Sequence, residues 1–258
     1  MDMEKEKIIA VMKRYELKYL LDKDQLNYFQ EKISKYMKID RYGKTSIASL
    51  YFDTKDYRLT TKSIEKPKYK EKLRLRSYGL AKPDSKTFLE IKRKCDGIVY
   101  KRRITLLEDE ANSLIKNKES NNKDQINREL QAFIQSYPSL EPKYLIIYDR
   151  VAYYQDNSDL RITIDINPRY RITDLNLHTS MDGTSLLKND GAILEIKVQH
   201  SIPLWLSEIL SQGKIYQTSF SKVGTAHKKE LLKRQNEKIK IKEINTIKQG
   251  GLIYGFTI

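Results

Sequence analysis

The chain has 258 residues and a net charge of +15, from 49 Lys and Arg against 34 Asp and Glu. Hydrophobic residues make up 39% and 18 residues are Tyr, which supports a sizeable core and excludes a disordered chain. No apolar run reaches the length of a membrane span, the N-terminus lacks a signal peptide's apolar centre, and the lone Cys95 excludes an internal disulfide, so a cytoplasmic protein is expected.

Alternation with period two recurs along the chain and predicts about eight strands. Residues 14–21, RYELKYLL, put Arg14, Glu16 and Lys18 on one face and Tyr15, Leu17 and Tyr19 on the other. Leu26, Phe29, Ile33 and Tyr36 then recur at helical spacing. SIASLYFDT (46–54) is rich in strand formers, and YKEKLRLRSYG (69–79) aligns Lys70, Lys72, Arg74 and Arg76 opposite Leu73 and Leu75. TFLEIKRK (87–94) sets Glu90, Lys92 and Lys94 against Leu89 and Ile91, and VYKRRITL (99–106) sets Lys101 and Arg103 against Tyr100, Ile104 and Leu106. A short helix is expected over 109–116 and a longer one through Ile126, Leu130, Phe133 and Ile134. KYLIIYDRVAYY (143–154) carries Arg150. LRITIDI (160–166) aligns Arg161, Thr163 and Asp165, and AILEIKVQ (192–199) aligns Glu195 and Lys197. Pro203 suits the first turn of a helix over 203–210, with Trp205 as a core anchor, and residues 225–243 read as a very basic helix on which His227 is expected to be solvated. Loops fall at 120–124, 137–142, 155–159 and 181–191, none long enough to link domains, so one domain over 1–258 is expected.

The amphipathic helices need apolar surface. If the apolar strand faces lie outward beneath them, the charged faces point into a closed barrel. Buried cations need counter-charge, and Glu16, Glu90, Asp165 and Glu195 are interleaved among them. This mixture suits phosphate plus a divalent metal. Competing motifs are weak. DRYGKTS (40–46) ends like a Walker A loop but has Lys38 where the first Gly is needed, and it runs into a strand. His178, His200 and His227 lack metal-ligand spacing.

In order from about residue 13 to 228, RYELKYLL, SLYFDT, LRLRSYG, FLEIKRK, YKRRI, YDRVAYY, RITIDI, LEIKVQ and FSKVGTAH resemble the VTC-type polyphosphate polymerase domain, a branch of the CYTH-like triphosphate tunnel metalloenzymes. The resemblance implies an α+β fold: an eight-stranded antiparallel β-barrel, with helices packed outside and a basic tail over 229–258. It implies that Arg74, Arg76, Lys92 and Lys101 are catalytic, the two arginines binding a nucleotide triphosphate and the two lysines acting as further phosphate ligands. Lys18, Arg150, Arg161 and Lys222 match further tunnel cations, and Lys72, Arg103 and Lys197 join them from the same charged faces. Glu195 matches the metal carboxylate, for Mn²⁺ or Mg²⁺, with Glu16 and Glu90 as secondary candidates. Many tunnel enzymes open with Glu-x-Glu-x-Lys, whereas this chain has Arg14-x-Glu16-x-Lys18, which favours the polymerase branch over the hydrolases.

The expected activity is transfer of the ATP γ-phosphate to a growing polyphosphate chain. A triphosphate hydrolase on the same scaffold and a non-catalytic polyanion sensor are the alternatives, and no nucleic-acid partner is expected. Eukaryotic members carry a phosphate-sensing module and membrane helices. Neither is read in this sequence, so any coupling to a membrane is expected to need a separate protein.

Overall fold

The computed structural model describes residues 15–65, 67–96, 98–119 and 124–251, with side chains to residue 241. Arg14, most of the expected 120–124 loop and residues 252–258 of the basic tail lie outside the described residues.

The elements run β1 (Tyr15–Leu21), α1 (Lys23–Ile33), β2 (Lys38–Asp53), α2 (Arg58–Ile64), β3 (Tyr69–Tyr78), β4 (Thr87–Cys95), β5 (Ile98–Leu106), α3 (Glu108–Asn117) and α4 (Gln125–Gln135). They continue with β6 (Glu141–Tyr154), β7 (Arg161–Arg171), β8 (Thr184–Ser185), β9 (Ala192–Val198), α5 (Leu204–Gln212), β10 (Gln217–Thr218) and α6 (Lys222–Gly251). Every expected strand is present. The sheet order is β10-β1-β9-β7-β6-β2-β3-β4-β5, with β8 on β7, and each pairing is antiparallel.

The expected eight-stranded closed barrel is corrected to an open sheet of 10 strands. The sheet still curls. Lys92 of β4 reaches Glu16 of β1 at 3.4 Å, although β9, β7, β6, β2 and β3 separate those strands in the order. Side chains bridge the gap where the backbone ladder stops, so the result is a trough with a charged concave face.

The convex face is apolar and lies under helices, as the alternation required. Tyr19, Leu21, Ile162, Ile164, Leu194 and Ile196 pack with Leu26, Phe29 and Ile33 of α1 and Leu206 and Leu210 of α5. Leu50, Leu73, Leu75, Leu89 and Ile91 pack with α3 and α4 through Leu114, Leu130, Phe133 and Ile134. Each such side chain, fully buried, stabilises the fold by about 1.5–3 kcal/mol, enough to fix which face of the sheet is outside. An Asp22–Gln25 capping box starts α1. Pro203 sits at the cap position of α5 rather than inside its first turn. Trp205 packs against the first core and stacks on Tyr36 at 4.3 Å.

Two features differ from the sequence reading. Helix α2 had no periodic signal. Its start is held by the buried Asp53 carboxylate, which accepts from the Leu59 and Thr60 amides at 2.8 Å. Helix α6 is not simply a solvated tail. Val223 and Ala226 in its first turns pack into the concave face against Ile47, Tyr144, Ile146, Tyr148 and Tyr170. His227 is buried there, sharing a 2.9 Å hydrogen bond with the Tyr144 hydroxyl, and Glu230 accepts from Tyr170 at 2.7 Å. Apolar packing on that helix face outweighed its lysine content. The Walker-like stretch lies in β2, where Gly43 takes φ +57° at a register shift against β6.

Candidate functional site

Strand register builds the site. Tyr51, Arg74, Glu90 and Arg103 face one another across β2, β3, β4 and β5. Glu90 has no exposed surface. It takes Arg74 Nε at 2.7 Å, Arg103 Nε at 2.6 Å and Lys101 Nζ at 2.7 Å. Burial opposes ionisation of Glu90, but Arg74, Arg76 and Lys101 outweigh it and hold its carboxyl well below the usual range. Arg74 also donates to the Tyr51 hydroxyl at 3.1 Å. Arg76 is buried and donates to Ser49 Oγ at 3.2 Å and the Tyr148 hydroxyl at 3.1 Å.

The opposite wall gathers β1, β6, β7, β9 and the start of α6. Arg150 grips Asp165 with two hydrogen bonds of 2.6 and 2.8 Å. Lys222 Nζ lies 2.5 Å from Asp165 and 3.4 Å from Glu195. Glu195 is also approached by Lys18 at 3.1 Å, Lys197 at 3.6 Å and Arg150 at 3.7 Å. Burial works against the charge on Asp165 and Glu195, yet Lys222 leads the cations that keep both ionised. Reciprocally, Lys222 is held above its ordinary value, Asp165 and Glu195 overcoming its burial. Glu16 bridges the walls, 3.2 Å from Lys18 and 3.4 Å from Lys92, and is lowered to about 2 against its burial.

The side chains expected in the tunnel therefore meet on one concave face, with one outlier. Lys18, Lys72, Arg74, Arg76, Lys92, Lys101, Arg103, Arg150, Lys197 and Lys222 face Glu16, Glu90, Asp165 and Glu195. Lys72 reaches Ser221 Oγ at 3.0 Å, just before α6. Arg161 is set apart. It is exposed at the start of β7 and donates to the carbonyls of Ser158 and Leu160 at 2.9 Å. The sequence reading did not name Tyr51, Tyr148, Ser49 and Ser221. The stretch was read only as rich in strand formers; period-two alternation sets Ser49 and Tyr51 on one face and was the available signal, while the cross-strand register was needed to set Tyr51 beside Arg74.

Among the described residues, no group of three or more His, Cys, Asp or Glu could hold a metal ion. The donor set nevertheless suits an ion that arrives with a phosphate ligand. Asp165 and Glu195 are ionised oxygen donors. Thr163, paired with Glu195 across β7 and β9, has a buried hydroxyl with no hydrogen-bond partner. Mg²⁺ commonly takes one or two carboxylates and fills its other positions with phosphate oxygens and water.

A family model described as the VTC domain matches residues 13–231. None of the curated proteins matches the sequence. Among solved structures, an adenylate cyclase candidate from Vibrio parahaemolyticus is 13% identical with a TM-score of 0.50, over 84% of this chain and 99% of that one. A second such candidate, from Bacillus halodurans, is 16% identical with a TM-score of 0.50, over 81% and 96%. HpAC1 from Hippeastrum, an adenylyl cyclase candidate with a dominant triphosphatase activity, is 16% identical with a TM-score of 0.50, over 82% and 93%. At these identities the likeness is one of fold. No helix among the described residues is long and apolar enough to cross a membrane.

Proposed function

The chain belongs to the VTC domain family, and from that premise we propose that it is a phosphotransferase that moves the γ-phosphate of ATP onto the end of a growing polyphosphate chain. The observation that carries this reading is the surplus of cations over carboxylates on a sheltered concave face. Such a face binds a polyanion and neutralises charge as it develops in phosphoryl transfer. Arg74 and Arg76, fixed by Tyr51, Ser49 and Tyr148, would hold the triphosphate. Lys101 and Arg103 would reach it from β5, and Lys92 from β4. Lys18, Lys72, Arg150, Lys197 and Lys222 would steer the acceptor chain.

In the reaction an oxygen of the acceptor's terminal phosphate bonds to the γ-phosphorus. The bond from that phosphorus to the β–γ bridging oxygen breaks, and ADP leaves with the electron pair. The acceptor oxygen is already ionised, so no strong general base is needed. Glu195, with Asp165 and Thr163, would hold Mn²⁺ or Mg²⁺, which supplies Lewis-acid stabilisation of the phosphate oxygens. Glu16 and Glu90 would serve the charge balance.

Triphosphate hydrolysis is the second reading, favoured by the triphosphatase activity of HpAC1 on a similar fold. Incubation with ATP and Mn²⁺, followed by a gel that resolves polyphosphate, separates the two. A ladder of polyphosphate with ADP is expected. ADP with free phosphate alone would replace the polymerase by the hydrolase.

A further inference from the structure

The concave face does not end in charge. Beyond Arg76 the alternation of β3 brings Tyr78 onto the same face as Arg74 and Arg76, and Phe88, paired with Arg76, lies on the Glu90 side of β4. The two rings meet edge to face, 5.6 Å between centroids and 76° apart. The Arg103 guanidinium lies 4.5 Å over the Phe88 ring while its Nε holds Glu90. It also donates to the Tyr78 hydroxyl at 3.5 Å. Tyr78 is 49% exposed.

That exposure separates Tyr78 from the other tyrosines of the face. Tyr148 is buried beneath Arg150 and Lys222, and Tyr51 is tied to Arg74. The Tyr78 phenol is held below its ordinary value, since Arg103 and Arg76 overcome its partial burial. Its hydroxyl accepts from Arg103 while half of the residue stays open to solvent. An exposed aromatic ring contiguous with a phosphate site is what a nucleotide base needs.

We propose that the Tyr78 ring, braced edge-on by Phe88, forms a stacking subsite for the base of a nucleoside triphosphate, which fixes the direction in which the nucleotide lies in the trough. This rests on the phosphate-site reading given above. Tyr78 is two residues from Arg76 and four from Arg74, about 7 and 13 Å along the strand. A ribose and its phosphates bridge that span. The base then sits at the Tyr78 end, and the γ-phosphate points past Arg74 toward Lys72 and Lys92, where the acceptor must approach. Stacking uses the π-face that every base has, so ATP and GTP are held alike and inorganic triphosphate gains nothing from the rim.

The test is binding of ATP, GTP and inorganic tripolyphosphate, each with Mg²⁺, to wild type, Tyr78→Ala and Tyr78→Phe. Tyr78→Ala is expected to weaken ATP and GTP roughly tenfold or more and to leave tripolyphosphate unchanged, which also shows that the variant is folded. Tyr78→Phe keeps the ring and should retain nucleotide affinity. Equal weakening of ATP and tripolyphosphate by Tyr78→Ala would reduce Tyr78 to a support for Arg76 and Arg103 and overturn the subsite alone. Unchanged ATP binding would overturn it too. Wild type that binds no tripolyphosphate would overturn the phosphate site and the subsite together.

Discussion

On the β3–β4–β5 wall, one carboxylate, Glu90, is shared by Arg74, Lys101 and Arg103, and Arg76 stands beside them on neutral hydroxyls. The Lys101 and Arg103 side chains are 41% and 34% exposed. On the β1–β9–β7 wall, Asp165 and Glu195 are enclosed by Arg150, Lys18, Lys197 and Lys222, and the Lys222 side chain is only 10% exposed. The residue types are the same; the balance and the access differ. The first wall has N–H donors left over for a ligand, because each guanidinium offers five and Glu90 has two oxygens to fill. The second sets two carboxylates against four cations, where the first sets one against four, and it keeps those carboxylates ionised and fixed. In the proposed function the more open wall takes the phosphate and the enclosed carboxylates take the metal, a division of labour that matches this difference in access.

Removal of one charge from each wall should have the largest effect. Arg74→Ala and Glu195→Gln are each expected to reduce ATP turnover by roughly 10²-fold or more while the circular dichroism spectrum stays native. They should differ in cause. Arg74→Ala should lose tripolyphosphate affinity without added metal, whereas Glu195→Gln should lose the response of activity to Mn²⁺. Wild-type activity in either variant would sink the assigned site.

Stability should separate the walls next. Lys222→Ala leaves Asp165 buried with Arg150 as its main partner, and breaking a buried ion pair costs about 3–5 kcal/mol. At this chain length that lowers the melting temperature by roughly 10 °C. Lys101→Ala, whose side chain reaches solvent, should move it far less. The acid limb gives a second reading of the same wall. Glu16, Asp165 and Glu195 have lowered values in the folded chain, so their contribution is complete above their unfolded values near 4 and is lost as pH falls toward about 2, the value of Glu16. Acid unfolding should therefore begin at higher pH in Lys222→Ala than in wild type.

Much of this division could be read in the chain itself. Alternation identified each long strand and put Lys72, Arg74 and Arg76 on one face, because a one-residue slip would bury those cations among Leu73 and Leu75. What the chain could not give is which strands adjoin. Register, not pattern, sets Glu90 against both Arg74 and Arg103, and sets Glu195 next to Thr163. Helix α2 was illegible because the carboxylate that takes its first-turn amides, Asp53, lies on the preceding strand. The buried start of α6 was hidden because Val223 and Ala226 are few among many lysines and find their apolar partners on distant strands.

A smaller effect is expected from pH on binding. Lys72 and Lys101 are pulled down to about 8, in both cases chiefly by burial. Tyr51 is lowered to about 7, because Arg74, Lys72 and Arg76 overcome its burial. As pH rises through 7 to 9, Tyr51 gains a negative charge and then the two lysines lose theirs. All three changes disfavour phosphate. Lys18 and Lys222 on the other wall have raised values, their carboxylate partners overcoming burial, and keep their charge. Tripolyphosphate affinity should thus fall about tenfold across this range, or ~1.4 kcal/mol, and Tyr51→Phe should remove the earlier part of the fall. A flat profile would mean that the β3–β4–β5 wall is not where phosphate binds.

The least effect is expected at Arg161. It lies on the same face of β7 as Asp165 by alternation, yet its guanidinium is taken up by the carbonyls of Ser158 and Leu160 at the strand's exposed start. Substitutions at such surface positions change stability by about 0.5 kcal/mol or less, and Arg161→Ala should leave ATP binding within about twofold of wild type. Its neighbour across the pair, Lys197, does reach Glu195, so the interior charge ends one strand away. If the polyphosphate product leaves over this end of the trough, Arg161 is the first exposed cation it meets. The variant would then bind short chains normally and long chains less tightly. Equal binding of short and long chains in wild type and Arg161→Ala would end the phosphate path at Lys197. A tenfold loss of ATP binding would instead mean that the guanidinium leaves its carbonyls when ligand enters, and that the boundary drawn between wall and rim is wrong.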